Sequence, residues 1–257
     1  MPRPLLLALA APLLFSACDA SDGGPDVRVF DGVAVEAQGD ATLATDGDEL
    51  VISNVGASGA DGLFLPGTPT SVDVLMAPIA LAAGQGVGIA VVGDDGDILA
   101  GFKNRNRGRA AGSFDFEITY GDALGVEAVR VVYLLGGAVV LDIPNLPFRS
   151  GSGLRLATNS VGEGEGDTDS AHVVRRGGKY VVVSDSEGTG EAREAGGKAR
   201  ACEGFTVTPP IEVEGVSICA DRIEVEPLDV SFPSSVAGVS VTGRSLGSFR
   251  IRALAMR

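Results

Sequence analysis

Tryptophan is missing from these 257 residues, and histidine occurs once, as His172. One imidazole excludes any zinc centre that needs two, and it leaves little for His-based acid–base chemistry. Aromatic residues make up only 5% of the chain, and tyrosine is limited to Tyr120, Tyr133 and Tyr180. Such provision is poor for the exposed aromatic faces on which sugar-binding proteins stack their ligands. Lysine is nearly absent, with Lys103, Lys179 and Lys198 alone among the 20 bases, and those bases are outnumbered by 34 acids for a net charge of −14. That balance argues against nucleic acid and against a broadly anionic membrane as partners. Cysteine appears three times, at Cys18, Cys202 and Cys219. Beyond residue 26 the 3.6-residue apolar period of helices is scarce, which excludes helical bundles and alternating strand–helix folds.

What the chain does carry begins at its start. Arg3 precedes an apolar run from Leu5 to Leu14, and Phe15-Ser16-Ala17-Cys18 follows before the chain turns polar at Asp19, Ser21, Asp22, Gly23 and Gly24. The run is much shorter than the roughly 20 residues of a spanning helix, so it reads as an export signal. Phe15-Ser16-Ala17-Cys18 resembles the lipobox of bacterial lipoproteins, with Phe15 where that family most often has Leu. The resemblance implies that residues 1–17 are removed, that Cys18 becomes the lipidated first residue, and that 18–26 form a flexible tether. It also implies a membrane partner through the lipid anchor and a location in the cell envelope. The Asp at position 19 is similar to a signal that retains enteric lipoproteins at the inner membrane.

From Val27 onward the pattern is strand and turn. Val27 to Val35 flank an Asp31-Gly32 turn, and Glu49 to Ser53 follow Asp46-Gly47-Asp48. The continuous apolar run Val87 to Val92 predicts a central strand, and Phe114, Phe116 and Ile118 alternate with Asp115, Glu117 and Thr119 to give one buried and one wet face. Turns about every ten residues predict an all-β fold of antiparallel sheets, sandwich-like. Pro144, Pro147 and Ser150-Gly151-Ser152-Gly153 suggest a join, dividing a sandwich domain at 27–148 from a second, smaller β region at 149–257. That second region would form a separate domain or further strands of the same sandwich. Within it, Gly162 to Asp167 and Gly188 to Ala201 are too polar and glycine-rich to bury much, and they predict mobile loops.

Candidate chemistry is sparse. Gly243-Arg244-Ser245-Leu246-Gly247 fits the letters of a hydrolase nucleophile elbow, but a strand rather than a helix is expected after it, and His172 precedes the serine. Gly84-Gln85-Gly86-Val87-Gly88 leads into a strand and so lacks the helix N-terminus that holds a pyrophosphate. The acidic turns Asp46 to Asp48, Asp94 to Asp97 and Asp167 to Asp169 lack calcium-loop spacing. No catalytic residue, metal ligand or cofactor follows from these patterns. The expectation is a noncatalytic binding or scaffold module, with an exported hydrolase or carbohydrate-active protein as the alternative. One surface feature stands out: Lys103, Arg105, Arg107 and Arg109 alternate at a hairpin tip bracketed by Phe102 and Phe114, a candidate anion-binding site. The plain counter-reading is a loop neutralised by the protein's own acids.

With Cys18 committed to lipid, Cys202 and Cys219 are the thiols left in an oxidising compartment, where a disulfide is expected. A hairpin turning at Pro209-Pro210 would set Thr206 opposite Gly215 and Cys202 opposite Cys219, at a Cα separation a disulfide accepts.

Overall fold

A computed structural model describes residues 26–77, 79–108, 114–159, 169–186, 205–207, 209–210 and 218–257. The leader and most of the tether, the two glycine-rich loops, Arg109, Cys202 and most of the segment 211–219 lie outside the described residues.

In chain order the strands are β1 (Val27–Phe30), β2 (Val33–Gln38), β3 (Thr42–Asp46), β4 (Glu49–Val55), β5 (Asp61–Pro66), β6 (Ser71–Met76) and β7 (Gly86–Val92). Next come β8 (Ile98–Arg105), β9 (Phe114–Tyr120), β10 (Ala128–Leu135), β11 (Ala138–Pro147), β12 (Leu154–Asn159) and β13 (Asp169–Arg176). The remainder are β14 (Lys179–Ser186), β15 (Phe205–Val207), β16 (Ile218–Ala220), β17 (Arg222–Pro227), β18 (Gly238–Arg244) and β19 (Gly247–Met256). They build a ten-stranded sheet, β1-β2-β5-β18-β7-β8-β9-β12-β15-β16, and a nine-stranded sheet, β11-β10-β17-β14-β13-β6-β19-β4-β3. Both are antiparallel, and they pack face to face as a sandwich.

Local chemistry sets many of the turns. Asp31 and Gly32 both take positive φ, 50° and 78°, the conformation a two-residue hairpin turn requires, and Phe30 pairs with Val33 across them. The Val87 to Val92 strand is central, between β18 and β8, as its apolar run suggests. Its outward, half-buried positions are Gly88, Ala90 and Val92.

The join at residues 144–153 does not divide the fold. Residues 149–257 contribute β12, β15, β16 and β18 to one sheet and β13, β14, β17 and β19 to the other. β18 lies between β5 and β7, and β19 between β6 and β4, so the two halves of the chain share both sheets. Pro144 and Pro147 end no domain because β11 is an edge strand, where a missing N–H removes no ladder bond on the solvent side.

All three tyrosines are fully buried and tie main-chain carbonyls across the core. Tyr120 on β9 donates to the Val225 carbonyl on β17 at 3.1 Å, and Tyr133 on β10 donates to the Leu156 carbonyl on β12 at 2.6 Å. Each of these bonds crosses from one sheet to the other. Tyr180 donates to the Pro69 carbonyl at 3.3 Å and meets Phe232 edge-on at 5.4 Å. Burial raises the Tyr120 hydroxyl pKa well above its ordinary value. It therefore stays protonated and remains a donor. No tyrosine is left to present a sugar-stacking face.

Asp61, at the start of β5, anchors the adjoining loops. Its carboxylate accepts from the Asp40 N–H at 3.0 Å, the Gly56 N–H at 2.9 Å and the Ser58 hydroxyl at 3.1 Å. The Asp40 N–H, then the Gly56 N–H, hold its pKa below the usual carboxylate value. A depressed folded-state pKa gives stability that is fully present above the unfolded value of about 3.9 and is lost as pH falls through the folded value. Asp61→Asn should therefore lower the melting temperature at neutral pH and lose less on acidification below about pH 4 than the wild type does. Parallel acid limbs for the two proteins in thermal melts would rule this out.

Candidate functional site

The basic run Lys103 to Arg107 meets β9 in a way its sequence pattern only half suggests. β8 continues through Arg105, so Lys103 and Arg105 stand in a strand and not at a tip. Lys103 pairs with Glu117 and Arg105 with Asp115, all four on the outward face, while Phe102 lies opposite Ile118 rather than Phe114. Arg155 on β12 pairs with Glu117 from the other side.

The wet face expected of β9 is not wet at these positions. Asp115 is 1% exposed and Glu117 6%. Both carboxylates are engaged by long basic side chains, whose apolar stems shield them while the charged ends stay near solvent. Arg107 Nη2 donates to Glu117 Oε1 at 2.7 Å and Oε2 at 2.9 Å, and its Nε lies 3.6 Å from Asp115 Oδ2. Arg155 Nη1 is 3.9 Å from Asp115 Oδ2, and Lys103 Nζ is 4.0 Å from Glu117 Oε2. The hydrogen bond that Arg107 donates to Glu117, followed by the Glu117 charge, raises the Arg107 pKa. Gly153 is part of the fit, since a Cβ there would lie 2.6 Å from Glu117 Oε1. Lys103 and Arg107 are thus occupied internally, in line with the counter-reading, and Arg109 lies outside the described residues. Among the described residues Arg105 makes no ion pair, and its Nε is buried without a hydrogen-bond partner. The cluster sets Lys103, Arg105, Arg107 and Arg155 against two carboxylates, a local excess of two positive charges in an acidic chain. A sequence signal for the buried pair existed in the two strands' alternation: bases at 103 and 105 answer acids at 117 and 115 once the hairpin register is known.

The remaining candidates are dispersed. Ser245 occupies the β18–β19 turn with φ 54°, and a strand follows it. His172 lies on β13 in the nine-stranded sheet, its Nδ1 against Asp73 Oδ1 of β6. Serine and histidine therefore belong to different structural settings and form no triad. Gly84 to Gly88 runs directly into β7. In the acidic turns, Asp46 Oδ2 accepts from Arg250 Nη1 at 2.9 Å and Asp95 Oδ1 accepts from the Asp97 N–H at 3.1 Å. Among the described residues no three metal-capable side chains cluster. A cavity between Met76, Leu81, Val87 and Phe114 encloses about 20 Å³, room for a single water.

Cys219 is the middle residue of β16 and is not a free thiol. Its cross-strand neighbour is Thr206, not Cys202. The hairpin register is therefore offset by four residues from the one a turn at Pro209-Pro210 would produce. A two-residue hairpin turn needs positive φ, whereas proline is locked near −65°, so the connection is longer and the strands slide.

No protein-family model, no curated protein and no solved structure matches this chain.

Proposed function

We propose that this chain is a lipid-anchored lipoprotein of the bacterial cell envelope whose mature β-sandwich is a noncatalytic binding or scaffold module. The observation that carries the proposal is the apolar run Leu5 to Leu14 set directly before Phe15-Ser16-Ala17-Cys18. The start of the fold is compatible with it. β1 begins at Val27, which leaves residues 18–26 as a spacer between acyl chains and sandwich. Among the described residues no helix is long and apolar enough to cross a membrane. The module reading draws on the dispersal of Ser245 and His172 over separate elements, and on the engagement of the buried carboxylates by arginine and lysine. Export also accounts for the two remaining cysteines, which we read as a Cys202–Cys219 disulfide.

Cys18→Ala tests the anchor. Wild type should partition into the detergent phase on detergent phase separation, and the variant should be released to the aqueous phase. Equal partitioning of the two proteins would sink the reading.

A further inference from the structure

We propose that Arg105 and Arg244 together form a cradle for a phosphate-type oxyanion on the outward face of the ten-stranded sheet. Three neighbouring strands carry the site. Gly86 on β7 pairs with Arg105 on β8 and with Arg244 on β18, so the two arginines share one face and one row, with only a glycine between them. Adjacent strands are about 4.8 Å apart, which sets the two Cα atoms roughly 10 Å apart. Arginine side chains can converge on one ligand across that gap. Gly88, the next outward residue of β7, keeps the floor low between Thr242 and Lys103.

These two arginines differ from the other half-buried or paired bases of the protein. Arg107, Arg130, Arg155, Arg176, Arg222, Arg250 and Arg252 each face a carboxylate within 4.0 Å. Arg175 is held by the Ser234 and Pro233 carbonyls at 2.9 and 2.7 Å. Arg105 and Arg244 are partly buried and meet no carboxylate among the described residues. Asp115, the acid that Arg105 faces in register, is already contacted by Arg107 and Arg155. Arg244 rests beside Gly59, with Nη1 3.9 Å from where a Cβ there would sit. A guanidinium presents parallel N–H donors that match the oxygens of phosphate, and two of them around one anion supply both charge and geometry. The local positive excess at Lys103, Arg107 and Arg155 reinforces the attraction.

The site stands independently of lipidation at Cys18, and the experiment keeps the two apart. The full-length chain in neutral detergent is titrated with inorganic phosphate against chloride of equal ionic strength. Arg105→Gln and Arg244→Gln should each weaken phosphate binding by about tenfold, while Arg149→Gln, an exposed arginine far along the chain, should leave it unchanged. Vesicles of phosphatidylcholine with and without phosphatidylglycerol identify the source of the anion. Competition by the anionic vesicles alone assigns a lipid headgroup, and its absence assigns a soluble phosphate. No phosphate binding by the wild type, or an equal loss in Arg149→Gln, would overturn the site. Unchanged urea midpoints for the two glutamine variants separate loss of binding from loss of fold.

Discussion

Gly62→Ala should destabilise the sandwich by about 4 kcal/mol or more, a loss reserved for a few mechanisms of which backbone overlap is one. Gly62 is the second residue of β5 and pairs with Thr242 on β18 and with Gln38 on β2. A Cβ at this position would overlap the Val241 carbonyl oxygen and come within 2.8 Å of the Thr242 Cα. Those atoms belong to a paired strand, so they can retreat only by breaking the ladder between β5 and β18. The same shift would disturb Leu63 and Leu65, both fully buried on the inward face. Gly88→Ala is the matched control, because its Cβ would meet the Phe102 carbonyl oxygen at 3.0 Å and the Lys103 Cβ at 3.2 Å, contacts a small adjustment relieves. Urea denaturation of both variants gives the comparison. A Gly62→Ala cost within about 1 kcal/mol of the Gly88→Ala cost would show that the strands are not as tightly apposed as described.

Reduction of the protein, or Cys219→Ser, should cost about 3 kcal/mol, as expected for opening a closed loop of this length. β15 and β16 are three residues each and form the outer edge of the ten-stranded sheet. Among the described residues β15 is paired to β12 at Asn159 and Val207 alone. A bond from Cys219 to Cys202 would tie this edge to the chain preceding Phe205. Intact mass with and without reductant before alkylation settles the connectivity. Two thiols labelled in the unreduced, unfolded protein would refute the bond.

The register at β15–β16 illustrates where sequence reasoning ends. Turn chemistry was legible when it was local: Asp31-Gly32 forms the tight hairpin its residues favour. At Pro209-Pro210 the same logic gives the wrong register, because the two residues mark a bend but cannot adopt the positive φ of a two-residue turn. Strand identity was readable from alternation in β9, whereas strand order was not. Nothing in the chain before folding indicates that β18 separates β5 from β7. For that reason the sequence left open whether residues 149–257 form a separate domain or further strands of the same sandwich; they supply strands to both sheets. The candidate site shows the same limit. Asp115 and Glu117 look like solvent-facing acids in an alternating strand, and only the pairing with Lys103, Arg105 and Arg155 reveals them as buried. Arg244, distant by well over a hundred residues from Arg105, joins it only through β7.

The positions of β18 and β19 bear on how the protein acquires its structure. Residues 238–256 supply an interior strand to each sheet, and their partners are β5 and β7 in one and β4 and β6 in the other. Until that segment arrives, both sheets have an open seam, with β5 unpaired toward β7 and β4 unpaired toward β6. Contacts of such long sequence separation make folding slow, since the loop-closure entropy is spent before the pairing rewards it. On the export proposed above, a chain that stays open until these strands pair would remain threadable through a translocation pore. Its unpaired edges are meanwhile exposed to other chains, so a chain lacking β18 and β19 should aggregate.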